Sequence, residues 1–396
     1  ELGLLGGSTR GGVRYTVERG APLAEAFDAA VNRELFFSVL EDDIVDAGVL
    51  DQLSSFCPCK LADSVEERAN LLDLFFDERG EYGASGHERK TSLALILDLA
   101  RLYAEAGRRG FTTADVLSCC YTGALPGSIV WDLQPDLDGQ RARWAVYQRN
   151  ELLSIAVQGT FTFALEALAR SGESFASSRQ FGTWLIEQPE VAQALSRWSS
   201  PEFLLARREE LDHLPDFVDW EHADHEIQVA QRIVGADQDQ SGSQGLELAL
   251  RLLLALAARG DESPHPYGRL SFHRGYFIDY PINLCSLRMK VTDEWADATM
   301  DQVVLDLVTR WGVDTHISVA LRKLRRESLD TFRVRPTDHG LWVEEDRIPP
   351  PVNTQPRLGT TLQILRDLGL ILRDSGGSLI RLGDIAYEIL ERCRGD

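Results

Sequence analysis

Residues 141–169 read RARWAVYQRNELLSIAVQGTFTFALEALA. Between Glu151 and Glu166 the apolar residues fall on most faces of a helix rather than along one stripe. That pattern belongs to a helix surrounded by other elements of a core. The apolar run 152–165 is shorter than the roughly 20 residues needed to cross a bilayer, and Gln158 interrupts it. The stretch therefore predicts a central core helix and no membrane span.

Outward from this helix, apolar residues recur at three-to-four spacing. They predict helices over 21–32, 33–43, 90–106, 179–187, 189–198, 201–211 and 246–259, with Gly107 ending the third. A short helix capped by Thr112 or Thr113 runs to Cys120. Ser64-Val65-Glu66-Glu67 has capping-box spacing ahead of Leu71, Leu72, Phe75 and Phe76. A polar loop is expected over 78–86, and Thr292 before Asp293 and Glu294 reads as an N-cap. Stretches 121–140 and 235–245 have the Gly, Pro, Asp and Ser content of loops or seams, and 260–285 is irregular. No repeat of period 20–50 is present. The fold class expected is mainly α: an extension or strand over 1–20, a multi-helical body over 21–310, and a distinct α+β module over 311–396.

That last module alternates most clearly. A helix over 316–327 precedes strand-like 331–336 and 341–344 around Asp338-His339-Gly340, then the spacer Pro349-Pro350-Pro351. Pro356 opens a helix that Gly369 ends. Strands 370–373 and 379–382 flank Ser375-Gly376-Gly377, and a final helix covers 383–394. This order resembles winged helix-turn-helix domains over about residues 315–394. The resemblance implies a three-helix core with a small sheet, and puts 356–368 where such domains carry the recognition helix.

Charge constrains what the module could touch. The 396-residue chain has 62 acidic residues against 41 basic ones and a net charge of -21. Such a field disfavours wholesale coating of nucleic acid. Residues 310–396 hold 14 Lys and Arg against 13 Asp and Glu, a net of +1 that leaves -22 for the remainder. Duplex DNA would therefore be met by Arg322, Lys323, Arg325 and Arg326, with Arg357, Arg366, Arg373 and Arg381 reaching phosphates from helix and wing. Asp367 and Asp374 oppose that, and winged helices also dock proteins.

Candidate chemistry is sparse. Residues 219–226 crowd carboxylates around His222 and His225. On a helix these two histidines share a face and could hold zinc, but no third ligand is identifiable. The alternative is an acidic, solvated helix start. Cys57-Pro58-Cys59 and Cys119-Cys120 lack the C-x2-C spacing of zinc sites. Six cysteines in so long a chain suggest reduced thiols in a cytoplasmic protein. Arg310 and His316 resemble the Arg-x4-6-His motif of HEPN ribonucleases, with Gly312 and a cap near Thr315 expected to break the helix that motif needs. No Walker loop, Gly-x-Gly-x-x-Gly, Gly-x-Ser-x-Gly or His-Glu-x-x-His occurs.

Residues 143–153 and 331–337 give the whole chain a resemblance to helical subunits encoded in bacterial anti-phage and DNA-modification islands. That resemblance implies a non-catalytic subunit beside a separate nuclease, helicase or ATPase. The expectation is thus an interaction or scaffold subunit without a cofactor, docking a partner and DNA through its winged helix. The alternatives are a DNA-binding transcriptional regulator and a metal-dependent hydrolase or nuclease centred on His222 and His225.

Overall fold

The computed structural model describes residues 2–7, 13–77, 79–235, 242–262, 281–343, 348–354, 357–373 and 380–395. The protein is mainly α. It is 65% helical, with 17 helices and only small two-stranded hairpins among the described residues. The Ser375-Gly376-Gly377 tip, Pro356 and most of 235–245 and 260–285 lie outside those residues.

Two compact units divide the chain. One comprises Glu1–Val116, Leu133–Arg141 and Gln355–Asp396, the other Leu117–Asp132 and Ala142–Thr354. The division differs from a body followed by a tail module: residues 311–354 belong to the second unit and 355–396 to the first. The reason is packing. The tail's two halves bury their apolar faces against different, earlier parts of the chain.

The first unit is built on the Gly83–Glu105 helix, whose residues Leu93–Ala100 are all buried. The Val65–Phe76 helix packs on it, as do the antiparallel Ile371–Arg373 and Ile380–Leu382 strands and the Asp384–Gly395 helix. The Leu358–Asp367 helix lies on the 3-10 turn Pro58–Asp63. It ends at Gly369, whose φ of +67° is the left-handed cap conformation that favours glycine. Beside that cap, Arg68 Nε donates to the Leu368 carbonyl at 2.8 Å.

Two local expectations change. The long helix starts at Gly83, so residues 83–86, read as loop, are helical. Asp77 turns the chain into it by accepting from the N–H groups of Glu81 and Tyr82 at 2.8 and 3.3 Å. Ser64 occupies the N-cap position of Val65–Phe76, but its side chain makes no cap hydrogen bond, so no capping box forms.

The second unit centres on Ser243–Glu262, where residues 248–258 are buried without a break. Against it pack Pro189–Leu195, Phe203–His213 and Glu226–Val234. The Pro135–Ser171 helix enters this unit at Ala142. Its most apolar 18-residue window is long enough to cross a membrane, and 67% of that window is buried inside the protein. The proline spacer lies along it. Thr162 Oγ1 donates to the Pro349 carbonyl at 3.0 Å, and the N–H groups of Val352 and Thr354 donate to Gln158 and Glu151 at 3.0 Å each.

The C-terminal part of this unit is more continuous than expected. Met300–Asp306, the π-helical Leu307–Asp314 and Thr315–Glu327 follow without a break, so neither Gly312 nor Thr315 ends a helix. Thr292 is no N-cap. It sits inside a second π-helical segment, Lys290–Glu294, and its hydroxyl donates to the Arg288 carbonyl at 3.0 Å. Ser178–Ile186 packs closely on the 300–314 run at Gly182, where an added Cβ would lie 2.6 Å from Thr309 and 2.7 Å from Leu305.

Candidate functional site

Residues 219–225 form turns rather than a helix, and Glu226 is the first residue of Glu226–Val234. His225 is therefore an N-cap. Its Nδ1 accepts from the Ile227 N–H at 3.2 Å, and its Nε2 faces the Phe217 carbonyl at 3.1 Å. A carbonyl only accepts, so the ring is neutral with its proton on Nε2. Burial is the main cause holding His225 below its ordinary pKa. His222 is exposed, and its Nδ1 accepts from the Asp224 N–H at 3.1 Å. The paired metal-binding face is thus not formed, because a turn replaces the helix that would have aligned the rings. Among the described residues no group of three His, Cys, Asp or Glu is placed to hold a metal.

What the segment builds is a buried charge network. Glu226 is fully buried; its carboxylate accepts from Arg259 Nε at 2.9 Å and from the Tyr121 hydroxyl at 3.1 Å. Burial raises the Glu226 pKa, but the Arg259 charge, the backbone N–H and the Tyr121 hydroxyl work against it, and the carboxyl stays below its ordinary value. Arg259 also donates to the Pro215 carbonyl at 2.7 Å. Beside it, Arg251 bridges Glu210 at 3.3 Å and Asp224 at 3.0 Å, and Trp198 Nε1 donates to Glu210 at 3.3 Å. The hydrogen bond from Arg251 holds Asp224 below the usual carboxylate range. Every charge here faces its opposite or a fixed dipole, with Asp224 at the solvent edge and the others buried or nearly so, which is the geometry of a structural clamp.

A second cluster joins the two π-helical segments. Lys290 Nζ lies 2.6 Å from Glu294 and 2.7 Å from Asp306, while Arg310 reaches Glu294 at 2.8 Å. Arg310 is thereby committed to carboxylates. His316 is turned elsewhere: its Nε2 accepts from the Arg333 N–H at 2.8 Å, and its ring lies 5.3 Å from Phe161. Burial, helped by Arg333 and Lys323, lowers His316 to about 4. The pair resembling a ribonuclease motif therefore makes separate local bonds.

The basic residues expected on one module occupy two. Arg322, Lys323, Arg325 and Arg326 lie on Thr315–Glu327 in the second unit; the three arginines are exposed, Lys323 is half-buried, and no ion pair is formed by any of them among the described residues. Leu321 and Leu324 beside them are 40% and 42% exposed. Arg357, Arg373 and Arg381 are exposed in the first unit, whereas Arg366 is half-buried there. Burial and the neighbouring Arg373 charge lower the Arg366 pKa.

The feature that sequence reading passed over is near the N-terminus. From Phe27 to Leu71 no residue is buried, although Gly20–Ala30, Arg33–Val39 and Ala47–Gln52 are well-formed helices. Phe56 packs against both Phe27 and Phe36, with ring centroids 5.8 Å and 4.8 Å away. Phe37, Leu40, Ile44 and Leu50 are each more than half exposed. Ten carboxylates and three basic side chains share this stretch, so the apolar surface has an acidic rim.

A cleft of ≈ 520 Å³ opens in the same face, lined by Phe27, Phe56, Cys57, Pro58, Lys60 and Leu61 among others. Cys57 and Cys59 are joined as a disulfide, which corrects the expectation of reduced thiols at that pair. Cys119 and Cys120 are buried, whereas Cys57 and Cys59 are exposed despite the apolar neighbour Phe56. No protein-family model, curated protein or solved structure matches the chain.

Proposed function

We propose that this protein is an interaction subunit, and that its docking face is the apolar, acid-rimmed surface of residues 27–71. One observation carries the reading: 45 consecutive residues with helical structure and four phenylalanines contribute no buried side chain. Exposed apolar surface on this scale marks a contact surface. The partner that fits is a protein with an apolar helix or groove flanked by Lys and Arg, since the rim is acidic. A nuclease, helicase or ATPase of an anti-phage or DNA-modification complex remains the class of partner proposed, and chemistry would belong to it.

The test is affinity purification from the native cell with the wild-type chain and with Phe37→Asp/Ile44→Asp. A stoichiometric protein partner lost from the variant is the expected result. Identical co-purifying proteins from both baits would overturn the reading.

A second reading, a DNA-binding regulator with a winged helix, draws support from the uncompensated Arg322, Arg325 and Arg326. In this reading the Leu358–Asp367 helix, the hairpin after it and the Asp384–Gly395 helix of the first unit would form the winged part, and the arginines of the second unit would add a separate basic contact. Duplex binding that weakens steeply with salt, and more gently with salt after neutralising those arginines, would favour it. Absence of duplex binding at low salt would discard it.

A further inference from the structure

We propose that Cys57–Cys59 is an exchange-active disulfide that reacts with cysteine thiols of an apolar peptide segment seated in the adjoining cleft. Three independent features converge on it. Both cysteines are exposed, so a thiolate can reach them. The bond encloses only Pro58, and a ring that small constrains the unfolded chain least, so the pair is a poor structural staple. Exposed disulfides of this kind are the labile, regulatory or catalytic ones. Finally, Cys57 lines a cleft of ≈ 520 Å³ whose walls include Phe27, Phe56, Pro58 and Leu61. Ser54, Ser55 and Ser64 complete the wall, so it is a concave seat with an apolar side and a polar side, directly beside a sulfur that can be attacked.

The inference rests on the docking reading only in sharing its face, and it adds a substrate class: a peptide with a cysteine next to bulky apolar residues. Lys60, Asp63 and Glu67 also line the cleft, with Lys60 Nζ 3.9 Å from Asp63, so its wall carries both signs of charge.

The step balances without a further oxidant. A peptide thiolate attacks Cys57 Sγ; the Cys57–Cys59 bond breaks and its electron pair leaves on Cys59, which takes up a proton. The resulting mixed disulfide is attacked at the peptide sulfur by a second peptide thiolate, which expels Cys57 as a thiolate that is then protonated. Two peptide thiols become one disulfide, and the Cys57–Cys59 disulfide becomes two thiols. Run backwards, the same steps reoxidise the pair with a peptide disulfide. In a reducing compartment a disulfide of this kind is transient rather than structural.

The experiment uses the full oxidised chain and two synthetic dithiol peptides of equal length, one with Leu and Phe flanking its cysteines and one with Ser and Gly. Loss of the Cys57–Cys59 bond is followed by maleimide mass shift. The apolar peptide is expected to react about tenfold faster or more, the preference given by burying one large apolar side chain. Phe56→Ser and Phe27→Ser should erase the preference while reduction by dithiothreitol keeps its rate. Equal rates for both peptides would overturn the proposal, as would thiols at both positions after incubation with glutathione disulfide. Cys57→Ser/Cys59→Ser should still capture the docking partner, so a failed exchange assay with retained capture leaves the docking reading standing, and capture unchanged by Phe37→Asp/Ile44→Asp strikes that reading alone.

Discussion

The helix Ser243–Glu262 and the stretch 27–71 both carry many apolar residues on helical backbone but put them to opposite ends. In the first, residues 248–258 are buried in succession, and the helices packed on it are tied to it through Arg251 and Arg259. In the second, no residue is buried, and phenylalanines face outward or one another. Helix formation is common to both, so helicity does not distinguish them. The difference lies in what covers the apolar face. The core helix is covered by its own chain, and the N-terminal helices are left uncovered.

Substitutions should separate the two regions sharply. The largest effect is expected at the buried network. Glu226→Ala leaves Arg259 without its countercharge and the Tyr121 hydroxyl without its acceptor. Removing one partner of a buried pair costs about 3–5 kcal/mol. Denaturant unfolding should show that loss in the midpoint with little change in slope. A loss under about 1 kcal/mol would mean that water reaches Arg259, and the core would then be looser than the geometry requires.

Next comes Leu253→Ala in the middle of the core helix, where the side chain is 1% exposed. Large-to-small changes at such sites cost about 2–5 kcal/mol, according to how far the cavity collapses. A thermal melt of this variant beside the wild type measures it directly.

A smaller, pH-dependent contribution belongs to His316. Its folded-state pKa of about 4 lies below the ordinary value of 6.5. The unfolded chain therefore takes up the proton first, and this histidine's contribution is complete above about 6.5 and is lost as the pH falls toward 4. The hydrogen bond fits that sign, because Nε2 must be unprotonated to accept from the Arg333 N–H. His316→Gln should flatten the fall in melting temperature between those two pH values. An unchanged slope would place the acid sensitivity elsewhere, His225 being the next group to test.

How much of this was legible in the sequence depends on the range over which each feature is set. The 141–169 helix, Gly107, Gly369 and the Asp338-His339-Gly340 hairpin are fixed by near neighbours, and periodicity finds them. The fate of 83–86 was missed because residues outside it set the turn: Asp77 accepts from the Glu81 and Tyr82 N–H groups just ahead of it, and Arg89 just after it donates to the Leu74 and Phe75 carbonyls. His222 and His225 read as a helical pair because local spacing does not show that the chain turns until Glu226. The division of 311–396 was hidden for the same reason at longer range: the covering surfaces come from residues 58–105 for one half and 151–175 for the other. Most elusive was the exposed N-terminal face, since an apolar residue's burial is decided by whatever else is folded over it.

The smallest stability effect is expected there, and it is the sharpest way to break the comparison. Phe37 is 56% exposed, so Phe37→Ser removes little area that folding had hidden from water. A surface change of this kind should move stability by no more than about 0.5 kcal/mol. The same chemistry at Leu253 would be several times costlier. If Phe37→Ser instead costs as much as a core substitution, something covers that ring in solution, and the purified chain itself is then the occupant to test. Melting at two protein concentrations decides it: self-association makes the midpoint of the wild type rise with concentration and that of the variant stay fixed, because binding to the native state stabilises it by mass action. A concentration-independent midpoint for both, with a small shift between them, leaves the face uncovered in the isolated protein and available to a different chain.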